Sequence, residues 1–379
     1  MQLSPVLVDL AQYPFTRLDE WKAEARARGI ELIDFGMGDP REVTPPFIRD
    51  ALVAGVTDVS SYPRATGLPE LRDAIAGWID RRFGIEVDPA TEIVPTLGSK
   101  EAIFSFAQVA VGERRLVAIP EPAYPVYERG ALFAGAELGT LPLRSENRFL
   151  PDLDAIDDET WSRTALVWVC YPNNPTGAVA PLEFYERLSE IALAHDVLVC
   201  SDEAYSELWF DEPPASALQV ADRRNMVVFN TLSKRSSMTG YRCGFIAANE
   251  DVIEALRKFR PNVGTAPQVF VQRAAIAAWG DEEHVERNRA LYGRKRALFV
   301  ELFERKGIAL AGSRATMYLW VETPGDETSV SFAERLLEQG IVVAPGSYFG
   351  PAGEGYVRFA LVPTEPECAD AVAVLEDVL

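Results

Sequence analysis

The amino-acid sequence predicts an α/β fold, in which a large domain with a mostly parallel central sheet is joined to a smaller α+β domain. Three observations point to this class. The chain has 379 residues, too many for one minimal hydrophobic core. Short apolar runs, mostly separated by helical or loop-rich stretches, occupy its middle part, which suits a buried parallel or mixed sheet. After a long charged segment, further apolar runs are interleaved with a helical pattern, which indicates a second unit.

The elements of the large domain follow in order. Apolar residues recur at helical spacing from about Pro69, and Gly84 is expected to end that helix. Five apolar runs then predict the strands of the sheet: 116–119, 166–170, 197–200, 227–229 and 244–247. Small and polar residues fill the short interval between the last two runs. We therefore expect an irregular active-site loop there.

The C-terminal part reads as a smaller unit of helices and strands. Residues 281–306 predict one long helix, and residues 331–339 predict another between the strands 317–321, 341–343 and 356–361. About 35 residues precede the first clear α/β motif of the sequence. We expect these residues to pack with the C-terminal unit. The predicted division is an N-terminal segment 1–38, a large domain 39–285 and a small domain 286–379.

Composition excludes several classes of protein. The 37 Lys and Arg against 57 Asp and Glu give a net charge of −20, which repels polyanions and argues against nucleic-acid binding. The apolar runs are too short to cross a membrane, and the N-terminus lacks the pattern of a secretory signal, so a cytoplasmic location is expected. Four scattered cysteines and two histidines argue against a zinc site or a disulfide framework. We expect His195 and His284 to be solvated.

The strongest chemical signal is a lysine that follows an apolar strand. Lys234 lies among hydroxyl residues in the segment 231–242, and Arg242 ends that segment. A lysine at a strand end can form a Schiff base with an aldehyde cofactor. The alternative is a solvated loop cation, and taken alone the motif does not exclude it.

Four further elements follow strands or open helices. Asp202 comes directly after a buried strand, and its alternative role is to cap the next segment. Asn174 lies in the Asn- and Pro-rich segment 171–177, which is otherwise a tight turn. Ser99 leads into an apolar helix, and the free N–H groups at the start of a helix can bind an anion. The alternative role of Ser99 is ordinary capping of that helix. Tyr124 follows a strand and can place its aromatic ring against a ligand, and its alternative role is packing in the core.

These five elements, in this order, resemble the class I/II pyridoxal-phosphate aminotransferases of fold type I. The resemblance covers nearly the whole chain and implies pyridoxal 5'-phosphate as cofactor. It implies that Lys234 bonds to the cofactor and shuttles protons, and that Asp202 pairs with the pyridine nitrogen. It also implies that Asn174 and Tyr205 bind the phenolic oxygen of the ring, on which Tyr124 stacks.

The same resemblance implies how the cofactor phosphate and the substrate are held. The phosphate ligands it assigns are Ser99, Lys100 (mainly through backbone N–H), Thr231, Arg242, and Tyr62 of the neighbouring subunit of a homodimer. Gly98 and Ser233 are further cofactor-binding residues. Arg358 matches the arginine that clamps the substrate α-carboxylate, with Asn174 and the backbone amide of Gly38 assisting. A planar guanidinium suits such a bidentate grip, and the flanking residues of Arg358 read as a buried strand rather than a surface ion pair.

Within the family, three stretches resemble the N-succinyldiaminopimelate aminotransferases of lysine biosynthesis. They are residues 13–15, 233–236 and 345–350 together with 356–358, whereas residues 236–241 depart from the pattern of many members. The expected substrates are N-succinyl-LL-2,6-diaminopimelate and 2-oxoglutarate, with Arg17 or Arg41 as a second anion anchor. The alternatives are an aspartate or alanine aminotransferase of broad specificity and a carbon–sulfur lyase. About 35 residues before Gly36 are too few for the helix-turn-helix domain of a transcription regulator.

Overall fold

The computed structural model describes residues 4–379. Its strands are β1 Ile33–Asp34, β2 Ile93–Thr96, β3 Leu116–Glu121, β4 Glu137–Pro142, β5 Thr164–Cys170, β6 Leu198–Asp202, β7 Met226–Thr231, β8 Gly244–Ala248, β9 Leu310–Ala311, β10 Tyr318–Glu322, β11 Ile341–Val342, β12 Ala344–Pro345 and β13 Tyr356–Ala360. Its α-helices are α1 Pro5–Asp9, α2 Pro14–Ala27, α3 Pro46–Ala54, α4 Pro69–Phe83, α5 Gly98–Ala110, α6 Val126–Phe133, α7 Asp158–Arg163, α8 Leu182–His195, α9 Leu232–Arg235, α10 Glu250–Val263, α11 Val269–Trp279, α12 Glu283–Lys306, α13 Ser329–Glu338 and α14 Glu365–Val378.

A seven-stranded sheet with the order β2-β8-β7-β6-β5-β3-β4 forms the centre of the molecule. All its pairs are parallel except those of β8, which runs antiparallel to β2 and β7. The predicted α/β class and mostly parallel sheet are confirmed. The edge strands β2 and β4 were missed, because β2 has only four residues, one of them proline, and β4 is largely exposed on the surface.

The parallel strands end at one edge of the sheet, and this edge collects the residues that the sequence singled out. Cys170 at the end of β5 lies opposite Asp202 at the end of β6, and Asp202 lies opposite Phe229 of β7. Strand β7 then continues to Thr231, directly before the helix of Lys234. Loops that follow neighbouring parallel strands must meet at this edge, where open α/β sheets bind their ligands.

The C-terminal region contains a second sheet with the order β12-β13-β10-β9, all antiparallel. Strand β1, near the N-terminus, pairs in parallel with β11 of this region. Arg28 after α2 also forms a surface ion pair of 2.7 Å with Glu338 at the end of α13. The N-terminal segment thus contacts this region, as far as the structure describes it; residues 1–3 lie outside the described residues. The domain boundaries after residues 38 and 285 stay a prediction.

The predicted helices are present with shifts of about two residues at their ends. Helix α4 begins at Pro69 and ends before Gly84, whose φ of +69° is the left-handed conformation that glycine adopts without strain. The expectation for His284 on α12 was wrong. Its ring is buried at 3% exposure, because α12 lies against the segment after Lys234 and the ring finds polar partners there.

The described residues contain no helix that is both long and apolar enough to cross a membrane. All four cysteines are buried and carry free thiols. In residues 4–379 no group of three or more acidic, histidine or cysteine side chains is arranged to hold a metal ion. The cytoplasmic location expected from the sequence stays a prediction.

Candidate active site

A cavity of about 350 Å³ opens at the carboxyl edge of the large sheet. It brings together most of the residues singled out in the sequence: Gly38, Ser99, Lys100, Tyr124, Asn174, Asp202, Tyr205, Thr231, Ser233, Lys234, Arg242 and Arg358. Gly98 lies just behind Arg242, since a Cβ atom at this glycine would be 2.6 Å from Arg242 Nη2. Tyr62 is elsewhere: it lies outside this cavity and is fully exposed.

Lys234 enters the cavity from α9, a single turn that directly follows β7. Its Nζ donates a hydrogen bond to the carbonyl oxygen of Gly38. Burial lowers the pKa of Lys234 to about 8, and the nearby Asp39 carboxylate partly opposes this shift. A lysine with such a pKa is neutral in about a tenth of the molecules at pH 7 and in about half at pH 8, and a neutral amine is a nucleophile.

Asp202 ends β6 at the floor of the cavity and is only 4% exposed. The Tyr127 hydroxyl donates to its Oδ2 at 2.8 Å, and the backbone N–H of Ala204 donates to its Oδ1 at 3.2 Å. Burial raises the pKa of Asp202 to about 6, although both hydrogen bonds act in the opposite direction. A buried carboxylate of this kind is suited to pair with a cationic ligand nitrogen. Tyr127 stands in the sequence segment around Tyr124, but nothing in that segment indicated its partner.

The start of α5 is a candidate anion site. Gly98 is the first residue of this helix, the N–H groups of a first helical turn have no partner within the helix, and Ser99 and Lys100 of this turn line the cavity. The Arg242 guanidinium lies against this turn and donates to the carbonyl oxygen of Leu97 at 3.2 Å. Burial, and secondarily Arg242, lowers the pKa of Lys100. This concentration of donors and positive charge fits a phosphate group.

Two further hydroxyl groups line the same cavity. The Oγ atoms of Thr231 and Ser233 are 2.9 Å apart, and either can donate to the other. The Thr231 hydroxyl can also donate to the carbonyl oxygen of Cys243 at 3.1 Å. Both residues line the cavity, so both can turn a hydroxyl toward an anion.

Arg358 lines the cavity from β13 and is 3% exposed. Its Nη1 donates to Asn174 Oδ1 at 2.8 Å and its Nη2 to the carbonyl oxygen of Gly36 at 2.7 Å. Its guanidinium carbon also lies 4.3 Å from the ring centre of Tyr318 and 4.6 Å from that of Phe349. Within residues 4–379 it forms no ion pair, so a buried charge faces the cavity and is available to an anionic ligand.

Three aromatic residues around Arg358 were not assigned to the site from the sequence. The Tyr318 hydroxyl lies 2.9 Å from that of Tyr205, which links β10 to the segment after β6. Phe15 and Phe349 line the same wall, with their ring centres 5.6 Å apart. Phe15 and Phe349 lie in two of the segments that resemble the N-succinyldiaminopimelate aminotransferases. Tyr318 begins the apolar strand β10, and a tyrosine in such a strand was a signal that the sequence analysis did not use.

A family model described as aminotransferase class I and II matches residues 30–375. The chain belongs to this family. It is 40% identical over 381 residues to the LL-diaminopimelate aminotransferase of Dehalococcoides mccartyi strain CBDB1, covering 99% of this chain and 98% of that protein. Among solved structures, apo-BacF from Bacillus subtilis has a TM-score of 0.93 and 32% identity, covering 100% of this chain and 98% of that one.

A further solved relative is a probable N-succinyldiaminopimelate aminotransferase from Thermus thermophilus. It has a TM-score of 0.90 and 30% identity, and the match covers 96% of this chain and 100% of that one. The recognition of a fold type I aminotransferase from its motifs is therefore confirmed. The protein is a pyridoxal-phosphate-dependent aminotransferase, and it acts on amino acids and 2-oxo acids.

The cavity of this aminotransferase fits its cofactor. The donors at the start of α5, the Arg242 guanidinium and the hydroxyl groups of Thr231 and Ser233 match a phosphate. Asp202 at the floor matches a protonated pyridine nitrogen, and the amine of Lys234 lies in the same cavity to bond with an aldehyde.

Proposed function

We propose that this aminotransferase converts LL-2,6-diaminopimelate and 2-oxoglutarate reversibly into 2-amino-6-oxopimelate and glutamate, and thereby serves lysine biosynthesis. The observation that carries the proposal is the set of charges that line the cavity, because one cation and one anion remain once the cofactor and the α-carboxylate have their partners. The names of relatives such as the Dehalococcoides mccartyi protein support the same compound. Both favour the unmodified substrate over the N-succinylated one expected from the sequence.

The residues of the site divide the chemistry between them. When bound, pyridoxal phosphate supplies an electron-withdrawing ring that makes the α-hydrogen of the substrate acidic. Arg358 and Asn174 hold the α-carboxylate, while Lys234 Nζ accepts the proton from the α-carbon. Asp202 keeps the pyridine nitrogen protonated, and Tyr127 fixes the orientation of that carboxylate.

Six charged residues of the described chain line the cavity: Asp39, Lys100, Asp202, Lys234, Arg242 and Arg358. Asp202 is assigned to the ring nitrogen, Arg242 to the phosphate, Lys234 to the covalent bond and Arg358 to the α-carboxylate. The Lys100 amine and the Asp39 carboxylate remain. Lys100 Nζ lies over the rings of Tyr13 and Tyr124, at 5.5 Å and 5.9 Å from their centres. Its backbone N–H can still serve the phosphate.

This remaining pair matches the distal end of unmodified diaminopimelate, which carries one ammonium and one carboxylate group. Succinylation replaces the ammonium by a neutral amide and adds a carboxylate, which Asp39 would repel. Arg17 and Arg41, the anchors expected for a succinyl group, lie outside the cavity. Arg17 lies over the ring of Trp21, and Arg41 pairs with Glu367 at 3.7 Å. Glutamate can place its side-chain carboxylate at Lys100, so one site accepts both amino acids.

The first prediction ranks the amino donors. We expect kcat/KM for LL-diaminopimelate, with 2-oxoglutarate as acceptor, to exceed that for N-succinyl-LL-diaminopimelate, aspartate and alanine by at least about tenfold, which corresponds to about 1.4 kcal/mol of transition-state discrimination. Steady-state kinetics with the four donors measure it. A better rate with aspartate or alanine would instead assign a general aminotransferase, and release of pyruvate and ammonia from cystathionine would assign a lyase.

Two variants test the distal anchors separately. Asp39→Asn should lower kcat/KM for LL-diaminopimelate by about tenfold relative to kcat/KM for glutamate, because only the former has a distal ammonium and a shift in the pKa of Lys234 affects both donors alike. Lys100→Met should lower kcat/KM for both by a similar factor, while alanine, which has no distal carboxylate, stays nearly unchanged. Equal losses for all three donors in either variant would contradict the assignment of that residue to the distal end.

We further propose that the active unit is a homodimer. A larger apolar groove of about 1310 Å³ adjoins the cavity and shares with it Tyr13, Lys100, Thr239 and Arg242. On the same chain Tyr62 is fully exposed, and Val56 and Val59 near it are exposed by 60% and 78%. Exposed apolar residues in one segment favour burial against a partner. A second copy that covers the groove would bring its own Tyr62 to the phosphate end of the site.

The second prediction tests this arrangement by complementation. A Tyr62→Ala chain and a Lys234→Ala chain are each expected to be weakly active or inactive alone. In their heterodimer both changes fall on the same site, so the other site is intact and activity returns to about half of the wild-type value per dimer. The measurement is turnover of purified heterodimers that carry two different tags. Heterodimers without recovered activity would show that Tyr62 acts within its own chain, whereas full activity of the Tyr62→Ala homodimer would show that Tyr62 has no role in the site.

A further inference from the structure

A second polar cluster lies directly behind Lys234. Helix α9 has only four residues, too few to be stable by themselves, and Lys234 is the third of them. The next two residues, Arg235 and Ser236, are polar and each is 1% exposed. Ser237 then adopts a φ of +52°, which few residues other than glycine favour. The position of this segment therefore depends on contacts from elsewhere in the chain.

Those contacts come from the corner between α11 and α12. Arg235 Nη1 donates to the carbonyl oxygen of Ala278 at 2.7 Å, and its Nη2 donates to Glu282 Oε1 at 2.7 Å. Asn288 Nδ2 lies within 3.1 Å of the carbonyl oxygen of Lys234 and 3.2 Å of that of Arg235. The backbone of Lys234 is thus held from behind while its amine faces the cavity.

The remaining contact runs through a histidine. His284 Nε2 lies 2.9 Å from Ser236 Oγ, and its Nδ1 lies 2.6 Å from Asp281 Oδ1. A carboxylate at Nδ1 favours the proton on that nitrogen, so Nε2 accepts the hydrogen of the serine hydroxyl. Burial lowers the pKa of His284, with Arg235 and Arg287 contributing and Asp281 opposing. The ring is therefore neutral near pH 7, and this direction of the hydrogen bond is kept.

The order of these three side chains is that of a nucleophilic triad, and Ser236 and His284 line a cavity of about 280 Å³. Ser236 itself is nevertheless only 1% exposed, and it follows Lys234 by two positions on the same backbone segment. We propose instead that Ser236, His284 and Asp281 are positioning residues that fix the backbone after Lys234 and so place its amine in the cavity. This rests on the role proposed for Lys234 above. A displaced amine lowers the rate of proton transfer while the grip of Arg358 on the substrate is unchanged.

The test compares Ser236→Ala, His284→Phe and His284→Gln. The first two should lower kcat by about tenfold and leave KM for the amino donor within about twofold. The rate at which the apoenzyme captures added pyridoxal phosphate, followed by its absorbance, should fall by a comparable factor. The double variant Ser236→Ala/His284→Phe should be no worse than either single variant, because one hydrogen bond is lost in each case. His284→Gln offers an oxygen acceptor to Ser236 and should recover part of kcat.

The matched control is Ser189→Ala on α8. Ser189 is 4% exposed and its hydroxyl donates to the carbonyl oxygen of Asp222 at 2.8 Å, remote from the cavity. This variant should lose comparable thermal stability and keep both kcat and the capture rate. Ser236→Ala removes one atom only and remains decisive if His284→Phe does not fold.

The outcomes separate the two proposals. If Lys234→Ala captures the cofactor like the wild type, the role of Lys234 is wrong and the positioning proposal falls with it. If the wild type depends on Lys234 but folded Ser236→Ala keeps kcat and capture rate within about twofold, the role of Lys234 stands and the positioning proposal is overturned. Loss of stability without these kinetic changes would likewise show a purely structural cluster.

Discussion

Lys234→Ala is expected to abolish the visible absorption of the covalently bound cofactor and to lower turnover by about 10³-fold or more, because the variant loses both the amine that bonds to the cofactor and the group that moves the α-proton. The fold should persist, since the side chain makes one hydrogen bond, to the carbonyl oxygen of Gly38. Absorbance of the purified protein, steady-state turnover and thermal unfolding measure these three effects.

The matched control for this variant is Lys258→Ala, because Lys258 lies on the exposed face of α10 in a surface pair with Glu254. It should keep the absorption band and full turnover. An unchanged band and activity in Lys234→Ala would assign the covalent bond to another lysine. Other cationic residues of the cavity, such as Lys100, would then be the next to test.

The pKa of Lys234 gives the same prediction a pH dependence. Only the neutral amine attacks an aldehyde, and burial lowers the pKa of this amine to about 8. The rate of cofactor capture by the apoenzyme should therefore rise with pH and level off above about 8. Asp39→Asn removes a carboxylate that raises this pKa, so it should move the rise to lower pH.

Arg358→Gln is expected to lower kcat/KM for every amino donor by about thirtyfold to several thousandfold, the equivalent of roughly 2–5 kcal/mol for removing one partner of a buried charge pair. The variant has no cation for the α-carboxylate, and its amide cannot make the bidentate contact of a guanidinium. Arg358→Lys should recover only part of the loss, because an ammonium is a point charge. Steady-state kinetics with LL-diaminopimelate, glutamate and alanine measure the effect.

This variant should keep the absorption band of the bound cofactor, which distinguishes it from Lys234→Ala. Arg17→Gln is the matched control, since Arg17 lies outside the cavity over the ring of Trp21. It should leave kcat/KM within about twofold for all donors. A loss confined to one donor in Arg358→Gln would show that the arginine binds a side chain rather than the α-carboxylate that all donors share.

The sequence alone determined the fold class and the elements that supply the chemistry. Asp202 ends β6 and Thr231 ends β7, and Lys234 follows at once, so the apolar strand pattern located these residues at the carboxyl edge. Such local order is written along the chain, because strand length, alternation and the residues that follow a strand are all neighbours in sequence. Chain order was also sufficient to recognise the aminotransferase family.

Only the tertiary structure decided which distant side chains meet these residues. Tyr127 contacts Asp202 across 75 positions, Arg358 contacts Asn174 across 184, and His284 reaches Ser236 across 48. His284 looked like a surface residue of a charged helix because its burial depends on the packing of α12, which no local pattern records. A hydrogen bond needs its two atoms within about 3 Å, and for residues far apart in sequence only the packing of whole helices and strands sets that distance.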